Sequence, residues 1–176
     1  RWLFRALREV WGDFRARPSS PRPPAPSRSS EPLPESAAIS GHFLLVTHNL
    51  GHEGAPLFLL ELARYLHGRG ARLSVLSAAE GPLRADFLRL GAGVSVVDTA
   101  SMYAARDASG IRAALRAMPA ADFAGVDLVI ANTLSAWWAV HLAAAAGRRS
   151  LLYIHESTTP EAFYHNQDRK STRLNS

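Results

Sequence analysis

The feature that most constrains this chain is the alternation of short apolar runs with amphipathic segments between residues 41 and 167. The apolar runs predict strands at 43–47, 72–77, 94–97, 127–131 and 149–154. The segments between the strands predict helices at 56–67, 82–90, 107–118 and 135–146. Strands that alternate with helices need crossover connections, which produce a parallel sheet. We therefore predict a doubly wound α/β sheet of Rossmann-like form, with helices on both faces.

The two ends of the chain differ in composition from this central domain. Residues 1–16 place apolar side chains along one stripe of a predicted helix, which fits either a peripheral membrane contact or the end of a preceding domain. Residues 17–40 are rich in proline and serine and predict a linker. Residues 168–176 (DRKSTRLNS) match the translation of a common sequencing adapter, so we expect read-through there. We therefore expect the natural domain to span residues 41–167. We expect this domain to be only part of an enzyme.

Charge and composition exclude several classes of protein. The net charge of +5 comes from residues 1–40 (+3) and 168–176 (+2), so the central domain is neutral. A neutral domain lacks the basic surface that would track phosphates, and we expect no nucleic-acid partner. The absence of cysteine excludes disulfides and thiol chemistry. The apolar stretch AWWAVHLAAAA spans 11 residues, well short of the ~20 that a membrane-spanning helix needs.

Polar residues follow each predicted strand and mark the expected ligand site. In parallel sheets of this kind, ligands bind outside the carboxyl ends of the strands, where the strand order reverses. A reversal between the first and fourth strands would bring together the loop after the first strand, Asn132 with Thr133, and His155. Trp137 and Trp138 could stack on a sugar or a base, but at least one of them is expected in the core.

The stretch THNLGHEGAP contains a loop, residues 48–54, that we call the glycine loop. Gly51 and Gly54 would let the backbone approach a ligand and adopt positive φ, beside the N–H groups of a helix that begins near Pro56. One interpretation is a diphosphate site, and the other is a turn that needs glycine for its geometry alone. The residues themselves leave both open. A nicotinamide site is disfavoured because G-x-G-x-x-G is absent, and a zinc site because H-E-x-x-H is absent.

Several stretches, taken in order, resemble the N-terminal half of a GT-B glycosyltransferase of family 4. They are HFLLVTHNLGHEGAPLFLLELARYLHGRGARLSVLS, GPLRADFLRLG, DLVIANTLSAWWAVHLAAAAG and YIHES. The resemblance implies two Rossmann-like domains around a cleft, in which the N-terminal one mainly binds the acceptor. It also implies retaining transfer of a hexosyl or related sugar from a nucleotide-sugar donor, without a metal or other cofactor.

The resemblance also implies roles for individual residues. Gly51 and Gly54 match the loop that approaches the donor diphosphate, and His155 matches a catalytic position near the acceptor and the transferred sugar. Acceptor contacts are expected from a further set, namely Glu53, Asn132, Thr133 and Glu156. Helix capping is an equal alternative for Asn132 and Thr133.

One element of the family is missing from this sequence. The family's second domain binds the donor sugar through a Glu-x₇-Glu motif, and this sequence does not include that domain. We therefore expect the chain alone to be inactive. The expected acceptor is a cell-envelope component or a polysaccharide, and the expected location is the cytoplasm or the inner face of the membrane. A different class remains open: a non-catalytic α/β binding or interaction module for a phosphorylated ligand.

Overall fold

The computed structural model describes residues 38–118 and 123–155, which form a five-stranded parallel sheet. The strands are β1 (His42–Thr47), β2 (Arg72–Ser77), β3 (Gly93–Val96), β4 (Leu128–Asn132) and β5 (Arg149–Tyr153). All five predicted strands are confirmed, and no strand end differs from the prediction by more than one residue. The predicted helix at 1–16, residues 17–37 of the predicted linker, and the segment 168–176 lie outside the described residues.

In the described residues, five α-helices connect these strands. They are α1 (Gly54–Gly68), α2 (Arg84–Arg89), α3 (Ala100–Ala104), α4 (Ala108–Ala117) and α5 (Trp137–Ala145). A 3₁₀ turn at Leu134–Ala136 leads into α5. The sequence did not predict α3, a five-residue helix whose first N–H, on Ala100, donates to Asp98 Oδ1 at 2.7 Å. It is too short to show a helical repeat of apolar residues.

The sheet is covered on both faces, as predicted for a doubly wound fold. Leu45 of β1 packs with α1 and α2, in a cluster that includes Leu59 and Phe87. Its neighbours in β1, Leu44 and Val46, point to the other face and pack with α4 and α5. Successive side chains of a strand alternate between faces, so a strand buried on both faces is apolar throughout. This explains why β1 reads as a continuous apolar run.

The strand order β3-β2-β1-β4-β5 places the reversal of strand order at β1, since β2 and β3 lie on one side of it and β4 and β5 on the other. β1 pairs with β2 on one side and with β4 on the other, and Val46 lies opposite Ala131. The carboxyl ends of β1 and β4 therefore meet at one edge of the sheet, where Thr47 and Asn132 end their strands. The expected reversal between the first and fourth strands is confirmed. Among the described helices, none is long and apolar enough to cross a membrane.

Candidate functional site

The glycine loop leaves the carboxyl end of β1 and is held in shape by its own side chains. The N–H of Gly51 donates to Asn49 Oδ1 at 2.8 Å. The carboxylate of Glu53 lies 3.2 Å from His48 Nε2 and accepts from Asn49 Nδ2, also at 3.2 Å. Glu53 is the residue before α1 and has an extended backbone with φ −109°. The loop therefore enters the helix already organised.

The start of α1 presents backbone N–H groups at the same edge of the sheet. Its first helical hydrogen bond runs from Leu57 N to Glu53 O at 3.0 Å. The N–H groups of Gly54 and Ala55 precede this bond and have no acceptor within the helix, while Pro56 has no N–H. A Cβ atom on Gly54 would meet nothing within 4 Å. Packing therefore does not demand glycine at this position, and the space that a Cβ atom there would enter is open.

The expectation of positive φ in the glycine loop is wrong. In the described part of the chain, the glycines with positive φ are Gly41, Gly70, Gly91, Gly125 and Gly147. Neither Gly51 nor Gly54 is among them, because the chain passes into α1 through the extended Glu53 and needs no left-handed residue. Positive φ therefore gives no support to the interpretation that these two glycines are needed only for the geometry of a turn.

Gly81 is a site-forming residue whose role sequence reasoning missed. A Cβ atom on it would lie 2.3 Å from both the carbonyl carbon and the oxygen of Leu50, and 2.8 Å from Gly51 N. The loop after β2 thus packs directly on the backbone of the glycine loop. Its only sequence signal was the Gly81-Pro82 pair, which predicted the start of a helix and not this contact.

Asn132 joins two parts of the site. It is 0% exposed, its Nδ2 donates to the carbonyl of Ala55 at 2.8 Å, and its Oδ1 lies 2.6 Å from His155 Nε2. The exposed imidazole of His155 is also in edge contact with two rings, Phe58 and Tyr153, at centroid distances of 5.0 and 4.6 Å. The predicted site residues Asn132 and His155 therefore lie in contact. Through its bond to the Ala55 carbonyl, Asn132 also connects His155 to the first turn of α1.

Two buried hydroxyls lie at the carboxyl ends of the central strands, one on the last residue of β1 and one on the residue after β4. Thr47 Oγ1 and Thr133 Oγ1 have no hydrogen bond to any described residue, and the two residues are 0% and 3% exposed. Thr133 has φ 87° and ψ 156°, a combination that β-branched residues rarely adopt. Its side chain does not cap the 3₁₀ turn that follows, so capping does not account for it. Asn132 likewise bonds to α1 rather than to the helix after it.

Other predicted candidates lie elsewhere or outside the described residues. Trp137 and Trp138 are both buried, at 3% and 0% exposure, and belong to the core. Glu156 lies outside the described residues. Within residues 38–118 and 123–155, no group of three His, Asp or Glu side chains could hold a metal ion. The expectation that no metal is needed stays a prediction.

The fold defines a Rossmann-like domain, and the glycine loop, the start of α1, Asn132 and His155 lie together at the switch point of its parallel sheet. We call the region between the start of α1 and His155 the crevice. The family model for Glycosyltransferase Family 4 matches residues 53–176, which is most of the chain. The chain belongs to this family, and its substrates are in general a sugar donor and an acceptor. A comparison with curated proteins finds no match.

Proposed function

We propose that this domain is the acceptor-side half of a retaining GT-B glycosyltransferase. It works with a second domain that binds a nucleotide-sugar, and it transfers a hexosyl or related sugar to a cell-envelope or polysaccharide acceptor. The observation that carries this proposal is the hydrogen-bonded link from the start of α1 through Asn132 to His155. It joins a place suited to phosphate with a place suited to a sugar hydroxyl.

The start of α1 is the proposed diphosphate site. The unpaired N–H groups and the positive end of the helix dipole attract an anion. Gly54 keeps the approach open, since no atom lies within 4 Å of the place where a Cβ would be. As the diphosphate leaves the sugar, its negative charge grows, and fixed N–H donors stabilise that charge. No metal is part of this proposal, because the backbone donors carry the charge.

The sugar hydroxyls are proposed to bind between this helix and His155. The hydroxyls of Thr47 and Thr133 are enclosed by the fold, so the contacts to the sugar are proposed to come from exposed groups. The exposed imidazole of His155 can orient a hydroxyl of the acceptor or of the transferred sugar. Glu53, with 61% of its side chain exposed, is proposed to face the acceptor. The proposed location is the cytoplasm, at the inner face of the membrane for a lipid-linked acceptor.

Binding to the ligand-free chain tests the diphosphate site directly. We would titrate the protein with uridine diphosphate and guanosine diphosphate, and with the two nucleosides as controls, while recording backbone amide NMR spectra. The proposal expects the diphosphates, and not the nucleosides, to shift the signals of Gly54 and Ala55. Gly54→Val should abolish these shifts. Gly68→Val is the matched control, since Gly68 ends the same helix and also has nothing within 4 Å of a Cβ.

Transfer itself distinguishes an enzyme from a binding module. The domain, joined to a donor-binding second domain, should release a nucleoside diphosphate from a nucleotide-sugar only in the presence of acceptor. Binding of diphosphate without transfer in that complete protein would favour the alternative, a non-catalytic module for a phosphorylated ligand. Absence of both would refute the proposed function.

A further inference from the structure

We propose that Asn132 is a positioning residue that fixes the protonation pattern of the His155 imidazole. In this arrangement His155 carries its proton on Nε2 and presents the lone pair of Nδ1 to the crevice. The same carboxamide fastens that imidazole to the first turn of α1. The arrangement itself follows from the geometry alone, and its use in transfer rests on the proposed function.

The carbonyl of Ala55 decides which way the Asn132 side chain faces. A carbonyl oxygen only accepts hydrogen bonds, so the atom of Asn132 that lies 2.8 Å from it must be the NH₂ group. The reverse orientation would set two oxygens against each other. The amide oxygen of Asn132 therefore faces His155.

The orientation of the amide in turn decides the tautomer of His155. An amide oxygen also only accepts, so the nitrogen at 2.6 Å, Nε2, must donate. In a neutral imidazole one nitrogen carries the proton and the other carries a lone pair. With the proton on Nε2, the lone pair is on Nδ1.

Asn132 acts through His155 rather than on a ligand. The residue is 0% exposed, and both polar atoms of its side chain have partners inside the protein. We therefore assign it a positioning role in place of the acceptor contact expected from the sequence. The rings of Phe58 and Tyr153 contact the imidazole from other directions and further restrict its rotation.

This arrangement specifies what His155 can recognise. A neutral imidazole with its lone pair on Nδ1 accepts a hydrogen bond from a hydroxyl, and it cannot donate from that atom to a phosphate oxygen. The partner of His155 is therefore a sugar hydroxyl, while the anionic part of the ligand is left to the start of α1. Asn132 sets the spacing between these two contacts, since it holds both the Ala55 carbonyl and His155.

Long-range ¹H–¹⁵N NMR of the full chain without ligand tests the proposal. Spectra are recorded near pH 8, above the ordinary histidine pKa of about 6.5, and the His155 signals are assigned with His155→Gln. The expected result is a protonated Nε2 and an unprotonated Nδ1. In Asn132→Leu, exchange of the Nε2 proton with water should be about tenfold faster, as the loss of one hydrogen bond implies. A proton on Nδ1, or unchanged exchange in this variant, would overturn the proposal.

The tautomer of the wild-type protein tests the proposal even if Asn132→Leu fails to fold, and two further variants serve as comparisons. Asn132→Asp retains an acceptor toward His155 but sets an oxygen against the Ala55 carbonyl, so it should keep the proton on Nε2 while lowering the free energy of unfolding. Ser77→Ala removes another fully buried polar side chain, at the end of β2 and so one strand further from His155, and it should leave the His155 signals unchanged. Because no ligand is present, a positive result stands even if diphosphate binding is not found.

Discussion

A Cβ atom placed on Gly81 would lie 2.3 Å from the carbonyl carbon of Leu50, so the two backbones touch. The Leu50 carbonyl also accepts from Leu83 N at 3.0 Å, which fastens the start of α2 to the same loop. The loop after β2 is therefore the surface on which the glycine loop rests. Any side chain at position 81 has to move one of the two loops.

Gly81→Ala should lower the free energy of unfolding by about 1–3 kcal/mol, the usual cost of overpacking. The clash is with backbone atoms, which cannot turn aside as a side chain can. Urea denaturation of the full chain measures the loss. Gly54→Ala is the matched control and should cost nothing, because an added Cβ there has open space. Equal losses in the two variants would contradict the contact.

Gly54→Val should reduce sugar transfer by about a hundredfold to a thousandfold in the two-domain enzyme, as expected when a preorganised donor is lost. The valine would fill the space through which a diphosphate approaches the N–H groups of α1. The melting temperature should not change, since nothing lies within 4 Å of the new side chain's Cβ. Glu53→Ala should cost less, and Gly68→Val should leave turnover as it was. A drop in activity and melting temperature together would point to a purely structural glycine.

Thr47→Val should leave stability unchanged or raise it by about 1 kcal/mol, because it removes a buried hydroxyl that makes no hydrogen bond with any described residue. Ser77→Ala provides the contrast, since Ser77 Oγ donates to Ala79 O at 2.7 Å. That substitution should destabilise the fold by about 1 kcal/mol. Chemical denaturation of both variants decides between these outcomes, and a clear loss in Thr47→Val would show that its hydroxyl is already bonded.

The stability of the domain should fall in mild acid because of His141. Burial lowers the pKa of His141 from its ordinary value of 6.5, so the folded state resists the charged form. The contribution is complete above pH 6.5 and is lost as pH falls through the lower pKa of the folded state. Melting temperatures between about pH 8 and pH 5 should therefore decline less in His141→Leu. A decline in His141→Leu as steep as that of the wild-type protein would contradict this prediction.

The strands could be predicted because the central ones are buried on both faces. Leu44, Leu45 and Val46 all enter a core, so the strand is apolar without interruption. Helix ends were marked by residues with local effects, such as Asp107, whose carboxylate accepts from Gly110 N at 2.8 Å. The helix α3 gave no such pattern, since of its five residues only Met102 is buried.

The candidate site was predictable in position and not in its internal contacts. Parallel strands place their carboxyl ends at one edge, which is why Asn132 and His155 could be expected to meet. The bond from Asn132 to the Ala55 carbonyl depends on the exact height of α1 above the sheet, which no local pattern encodes. The positive φ of Thr133 was equally hidden, because threonine is among the residues least suited to it.

The strand order also governs when the crevice can exist during synthesis. β3, β2 and β1 are made first and can pair with one another, but the second edge of β1 stays open until β4 has been made. The bond between Ala55 and Asn132 joins residues 77 positions apart, and contacts of such long range form slowly. An unpaired central strand offers its backbone to strands of other chains. The side of β1 that β4 later covers is thus open to wrong pairing in the nascent chain, and the ligand site at the ends of these two strands can form only after that side is closed.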